Sequence, residues 1–186
     1  MKDTKQIVLG LVVVAVLVGV GVWLWLPQSG PMAVPVKAAN VPYIGGADVF
    51  FKYPNKYVLY QRTDSFETNS VWVLTLVDPK VQVPDMSDGP AGMSILEVAN
   101  PTNIPLDQWV KQKSISNFNL QSEPTLASTT VAGEPAVTYQ HSGLFETKVV
   151  AVAHNGRVYL FSVDSIDPNS QMSAEFKQLI DSVVLK

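Results

Sequence analysis

Residues 147–164, TKVVAVAHNGRVYLFSVD, decide the fold, because they contain two apolar runs joined by the dipeptide Asn155-Gly156. This dipeptide is typical of a two-residue turn between antiparallel strands. A turn of that length sets the register of the two strands. The predicted pairs are His154 with Arg157, Val152 with Tyr159, Val150 with Phe161, and Lys148 with Val163.

The predicted hairpin is apolar on both of its faces. Successive side chains of a strand point to opposite faces of a sheet. One face therefore collects Val150, Val152, Tyr159, Phe161 and Val163, and the other collects Val149, Ala151, Ala153, Val158 and Leu160. Strands of this kind are central in a sheet that is covered on both sides. The predicted fold class is thus α+β, an antiparallel β-sheet covered by helices on both faces.

The remaining elements follow from alternation, turn residues and helical spacing. Further strands are predicted over residues 49–53, 57–60, 70–77, 92–99, 128–131 and 137–141. A helix is predicted to begin near Pro105, with Leu106, Trp109 and Val110 along its inward face. A closing helix follows residues 167–170, DPNS, and places Met172, Phe176, Leu179, Ile180 and Val183 on one face.

Residues 7–26, from Ile7 to Leu26, form a run of twenty residues without a charge. A helix of that length spans roughly 30 Å, the thickness of the hydrocarbon core of a bilayer. Lys2 and Lys5 precede the run, and basic residues favour the cytoplasmic side. The sequence therefore predicts a single-pass anchor in the lipid bilayer of the cell membrane, with residues 1–6 cytoplasmic and the C-terminal domain extracytoplasmic.

A cleaved signal peptide is the alternative interpretation of residues 7–26. Its apolar region would normally cover about 7 to 15 residues and end at a small-residue cleavage site. Here the run is longer and ends in the bulky sequence Trp23-Leu24-Trp25-Leu26-Pro27. An uncleaved anchor is therefore favoured. The chain contains no cysteine, which excludes a lipid-modified cysteine, disulfides and thiolate metal sites.

Residues 27–46 contain four prolines and three glycines, and they are predicted to be a linker. The extracytoplasmic domain is predicted to cover residues 47–186, which is long enough for one domain with its own core. Beyond residue 26 there are 11 basic and 15 acidic residues, once Lys2, Lys5 and Asp3 are removed from totals of 13 and 16. This mild acidity argues against nucleic acid as a partner.

Tyrosines are concentrated at the start of the predicted domain. Tyr53, Tyr57 and Tyr60 are candidates for contact with a protein partner, since aromatic clusters often dominate interfaces. The alternative is core packing, because Tyr57 and Tyr60 are three positions apart and point to opposite faces of a strand.

No catalytic or cofactor motif is found, and we predict no cofactor, no metal site and no catalytic residue. His141 and His154 are more than about 20 Å apart if the hairpins are continuous, which is too far to share one metal. His154 adjoins the predicted turn and is expected to be a solvated flank. Asp78, Asp85 and Asp88 share one loop, and whether they bind a cation is left open because their spacing matches no calcium loop.

Short motifs give the chain a resemblance to a known family. These motifs are Tyr53-Pro54, Leu106-Asp107-Gln108-Trp109, the run AGEPA at residues 132–136, and Ile180-Asp181-Ser182-Val183. In this order, residues 47–186 resemble the PsbP/Mog1-like fold, an antiparallel sheet sandwiched by helices. The resemblance implies mostly non-catalytic work, since that family includes photosystem assembly factors and a protein that binds a small GTPase. Neither of those partners is expected here.

Three functions are compatible with these features. The first is a membrane-anchored, extracytoplasmic binding or assembly module whose partner is another protein of the cell envelope. The second is an envelope hydrolase with an unrecognised active site. The third is a pilin-like structural subunit, which Pro27 disfavours because it ends the apolar helix before the head domain. The sequence favours the first and leaves any small-molecule ligand open.

Overall fold

The structure, a computed structural model, describes residues 43–44, 48–66, 69–80, 91–143, 145–165 and 170–186. The predicted anchor and the predicted linker, except for residues 43–44, lie outside these residues. Within the described ranges, no helix has the length and apolar character needed to cross a membrane.

The described residues form ten strands and two α-helices. The strands are β1 (Tyr43–Ile44), β2 (Val49–Phe51), β3 (Val58–Phe66), β4 (Asn69–Val77), β5 (Gly92–Ala99), β6 (Ala127–Val131), β7 (Glu134–Ser142), β8 (Glu146–His154), β9 (Arg157–Ser165) and β10 (Val184–Leu185). The helices are α1 (Leu106–Gln112) and α2 (Gln171–Asp181). Two short 3-10 turns, Ser114–Ser116 and Phe118–Leu120, follow α1.

A seven-stranded antiparallel sheet is the main element of the domain. Its strand order is β3-β4-β5-β9-β8-β7-β6, and a separate three-stranded sheet has the order β1-β2-β10. The predicted hairpin is confirmed as β8 and β9, and all of its predicted pairs occur. Asn155 and Gly156 have φ of 47° and 70°, as a turn with two left-handed residues requires. The α+β class with an antiparallel sheet is therefore confirmed.

The two predicted faces of the hairpin belong to two different core clusters. The first cluster includes Val150, Val152, Tyr159, Phe161 and Val163, together with Phe176 and Leu179 of α2. The second includes Val149, Ala151, Val158 and Leu160, together with Trp109 and Val110 of α1, and Ala153 packs against it. Residues 149–153 of β8 and 158–161 of β9 therefore pack on both faces of the sheet, which explains why these stretches are apolar.

Several elements differ from the prediction in length or were not predicted. Strand β3 continues to Phe66, beyond the predicted end at Tyr60, although its residues 61–65 are polar. It is an edge strand, and most of residues 61–66 are exposed. Its second half is therefore determined by backbone pairing with β4 and not by an alternating apolar pattern. Strands β1 and β10 have two residues each, which is too short to produce an alternating pattern.

Candidate functional site

A groove lies beside α2 on the face of the main sheet that carries the first core cluster. Its volume is about 580 Å³, within the usual range for ligand pockets. Thr129 of β6, Gln140 of β7 and Lys148 of β8 contribute to its floor, and Lys177 and Asp181 of α2 contribute to its wall. The groove combines an apolar floor with several polar side chains. A second cavity of about 600 Å³ lies beside Trp72 and Arg157.

The groove follows from the placement of α2. The helix contacts the sheet mainly at β9, and the groove lies between the helix and the ends of β6, β7 and β8. The register places Gln140 beside Lys148, and Lys148 beside Val163. Gln140 and Lys148 are exposed, although both belong to strands in the interior of the sheet. Packing of the core does not require exposed polar side chains on interior strands, so this surface is available for binding.

Some charged side chains around the groove have a partner, and one does not have a partner among the described residues. The Lys177 ammonium lies 2.6 Å from the Asp181 carboxylate, and Ser142 donates a hydrogen bond of 2.9 Å to Glu146. Lys148, by contrast, forms no ion pair or side-chain hydrogen bond with the residues that the structure describes. Lys148 is therefore a cation on the floor of the groove that is available to an incoming anionic group.

The chemistry of the lining suits a polar segment better than an apolar one. Thr129 lines the groove with a hydroxyl group that is able both to donate and to accept a hydrogen bond. The Thr138 hydroxyl already donates to the Val149 carbonyl at 2.8 Å, and the Ser165 hydroxyl lies 3.0 Å from that of Ser170. Val150 and Val163 supply apolar floor between them. A ligand with a carboxylate and a mixture of small polar and apolar groups would satisfy all of these side chains.

Glu175 of α2 is the centre of a second polar cluster, and this cluster is structural. Its Oε2 accepts from the Tyr57 hydroxyl at 2.5 Å and lies 2.9 Å from the Lys56 ammonium, while Oε1 accepts from Gln171 at 2.8 Å. Burial alone would raise the pKa of Glu175, but these partners lower it overall. The sequence pattern did not indicate this cluster, because Glu175 is more than a hundred positions from Lys56 and Tyr57.

The three predicted partner tyrosines are not brought together on one surface. Tyr57 is only 2% exposed, and burial and Glu175 raise its pKa. Tyr53 is half-buried and its ring lies 6.1 Å from that of Phe51, at the first core cluster. Tyr60 is half-buried on β3 opposite Thr75. Partner contact by Tyr53 and Tyr60 stays a prediction, while Tyr57 has a structural role in binding Glu175.

Of the three aspartates considered for a cation, only Asp78 lies in the described residues. Its Oδ1 accepts from the Lys80 backbone N–H at 2.9 Å, and its Oδ2 lies 4.0 Å from the Lys56 ammonium. Asp85 and Asp88 lie outside the described residues, so cation binding by the three stays a hypothesis. Across the described ranges, no group of three or more acidic, histidine or cysteine side chains is placed to hold a metal.

His141, Thr147 and Asp164 are neighbours across β7, β8 and β9, beside a cavity of about 190 Å³. The buried Nδ1 of His141 has no hydrogen-bond partner among the described residues, and burial lowers the pKa of this histidine. The Thr147 hydroxyl donates to Asp164 at 2.7 Å rather than to the imidazole. In a catalytic triad the hydroxyl donates to the imidazole and the imidazole donates to the carboxylate. This row does not have that order, so it gives no support to the hydrolase hypothesis.

The prediction that His154 is a solvated flank is wrong. Its side chain is only 13% exposed, and its Nδ1 lies 2.7 Å from the Glu134 carboxylate. Its Nε2 lies 3.0 Å from the backbone carbonyl of Lys186, to which Asn155 also donates. Lys186, which follows β10, contacts both His154 and Asn155 at the turn, and local sequence could not indicate this contact.

The contacts of His154 predict a dependence of stability on pH. Burial lowers its pKa, but the Lys186 carbonyl and Glu134 raise the pKa overall above the ordinary value of 6.5. A raised pKa stabilises the folded state below about pH 6.5, and this stabilisation is lost as the pH rises through the folded-state pKa. Urea unfolding should therefore show a wild-type advantage over His154→Gln that decreases from pH 6 to pH 8. A constant difference would contradict this prediction.

These observations define the class of protein as an α+β domain, built mainly on a seven-stranded antiparallel sheet, with a polar groove beside α2. Neither the protein-family models nor the curated proteins compared with this chain match it.

Proposed function

We propose that the chain is a single-pass, membrane-anchored binding or assembly module with an extracytoplasmic, non-catalytic domain. Residues 7–26 support the anchor, since they are uncharged over the length of a bilayer core. Lys2 and Lys5 support the orientation, with the domain on the far side of the membrane from the cytoplasm. The partner is another protein of the cell envelope.

We also propose that the domain is an α-β-α sandwich of the PsbP/Mog1-like kind. Two facts support helices on both faces: α2 residues belong to the first core cluster, and α1 residues belong to the second. The hairpin of β8 and β9 divides its side chains between the same two clusters. In a domain of this kind, helices cover apolar side chains on both faces of the sheet. An accessible binding surface on the sheet then lies beside a helix, as the groove lies beside α2.

The observation that carries the proposed function is the groove beside α2 with Lys148 on its floor. A partner segment that enters the groove meets hydroxyl groups, a valine floor and one cation without an ion pair among the described residues. We therefore propose that the partner contributes a polypeptide segment with an acidic side chain that pairs with Lys148. Such a pair, partly shielded from water, would be stronger than a surface ion pair.

Site-specific photo-crosslinking in intact membranes tests this function. A photoreactive residue in place of Gln140, on the groove floor, should produce one discrete adduct with an envelope protein. The same residue in place of Gln108, which is exposed on α1 outside the groove, is the matched control and should not produce that adduct. Equal adducts from both positions, or none from Gln140, would contradict the proposal. The hydrolase and pilin-like alternatives stay hypotheses without a supporting contact.

A further inference from the structure

The outer edge of β6 is an exposed strand edge. Strand β6 stands at the end of the main sheet and pairs only with β7 among the described residues. Residues 127–130 are all exposed, and Val131 is the only buried residue of the strand. An exposed edge of this kind is able to pair with another strand.

The register shows which backbone groups are directed outward. The turn between β6 and β7 consists of Ala132 and Gly133, with φ of 52° and 84°, and such a turn is closed by a hydrogen-bonded pair. Val131 and Glu134 are that pair, and hydrogen-bonded and non-bonded pairs alternate from there. The pair of Thr130 with Pro135 is then non-bonded, which agrees with the missing N–H of proline. The backbone groups of Ser128 and Thr130 are therefore directed to the outer edge.

The two edges of the sheet differ in their protection. Natural edge strands usually carry charged residues or proline, which prevent pairing with other chains. Strand β3, at the opposite edge, carries the ion pair of Arg62 and Asp64, whose atoms are 2.7 Å apart. Strand β6, with the sequence ASTTV, has neither a charge nor a proline. The β6 edge is thus the one suited to pairing.

We propose that β6 pairs in antiparallel orientation with β6 of a second copy of this chain, about a two-fold axis at Thr129. Ser128 then forms a hydrogen-bonded pair with Thr130 of the partner subunit, and the reverse pair is identical, for about four backbone hydrogen bonds in all. A neutral, threonine-rich strand is complementary to itself, since Thr–Thr pairs are favourable and no like charges meet. The two sheets become continuous, and both grooves lie on the same face.

Disulfide trapping tests the register directly, because the chain has no cysteine of its own. In the proposed dimer, residue 129 faces its own copy in a non-bonded pair with Cα atoms about 4.5 Å apart, which is within disulfide reach. With a mild oxidant, the full chain carrying Thr129→Cys in detergent micelles should become a covalent dimer. Thr63→Cys, on the exposed part of β3, is the matched control and should stay at least tenfold less crosslinked.

Charge substitutions provide the second test. Thr129→Lys and Thr129→Glu should each weaken the dimer of the full chain at least tenfold in light scattering, while a mixture of the two should restore it as a heterodimer. Circular dichroism checks that each variant is folded, and Lys148→Glu should leave the dimer intact, which separates this inference from the proposed partner site. A folded, monomeric wild type would overturn the proposal. So would a dimer that tolerates Thr129→Lys, or Thr129→Cys adducts only with a different polypeptide.

Discussion

The variant Glu175→Ala is expected to lower the free energy of unfolding by about 3 kcal/mol, since it removes the acceptor of a buried, charge-assisted hydrogen bond. The Tyr57 hydroxyl, which donates to Glu175 at 2.5 Å, would be left without a partner in a site that is almost fully buried. The ion pair with Lys56 contributes less, because the Lys56 side chain is one-third exposed.

A graded set of variants separates these contributions in urea unfolding. Glu175→Gln keeps an oxygen that accepts from Tyr57, so about half of the loss is expected. Asp181→Ala, which breaks an exposed ion pair on the same helix, is the control and should cost less than about 0.5 kcal/mol. If Glu175→Ala costs no more than Asp181→Ala, the cluster does not stabilise the fold.

The same cluster gives a second pH dependence, of opposite sign to that of His154. The pKa of Glu175 is lowered below its ordinary value of 4.5, so its ionised form stabilises the folded state at neutral pH. This stabilisation is lost as the pH falls from about 4.5 through the folded-state pKa. The difference in stability between wild type and Glu175→Gln should therefore shrink in acid.

Replacing Trp109 by alanine is expected to cost about 3 to 5 kcal/mol, the usual range for a large core aromatic. Trp109 of α1 has no exposed surface and belongs to the cluster that also contains Ala151 and Leu160 of the central hairpin. Its loss would leave a cavity over the second face of the sheet. The near-ultraviolet circular dichroism and the midpoint of thermal unfolding should both change.

Two other variants make the Trp109 prediction specific. Trp109→Phe retains part of the ring volume and should cost clearly less than Trp109→Ala. Leu120→Ala removes a residue that is 61% exposed and lies just beyond the same region, so it should have an effect within about 0.5 kcal/mol. A cost below 1 kcal/mol for Trp109→Ala would mean that α1 does not cover this face.

The central hairpin could be predicted from sequence because its information is local. Asn155-Gly156 specifies the turn, and the turn specifies the register, so the division of Val149 to Val152 between two faces follows from alternation. Helix α1 was predicted for similar reasons, from Pro105 and the spacing of Leu106, Trp109 and Val110. These elements depend on residues that are close in the chain.

The groove and the polar cluster could not be predicted, because both depend on distant residues. Glu175 contacts Tyr57 across more than a hundred positions, and the position of α2 decides which part of the sheet is left accessible. Lys148 directly precedes the apolar run Val149 to Ala153 in β8. The neighbouring sequence does not indicate that Lys148 lacks an ion pair among the described residues. The signal that could have found it is a charged residue inside an otherwise apolar central strand.

We propose above that the groove beside α2 binds an acidic segment of an envelope partner through Lys148. The most direct test is the yield of the adduct from photoreactive position 140, measured in membranes with and without Lys148→Glu. Repulsion between the new carboxylate and the acidic segment should lower the yield about tenfold, which corresponds to about 1.4 kcal/mol of binding free energy. Lys52→Glu, at an exposed position outside the groove, should leave the yield unchanged. An equal yield in wild type and Lys148→Glu would contradict the claim.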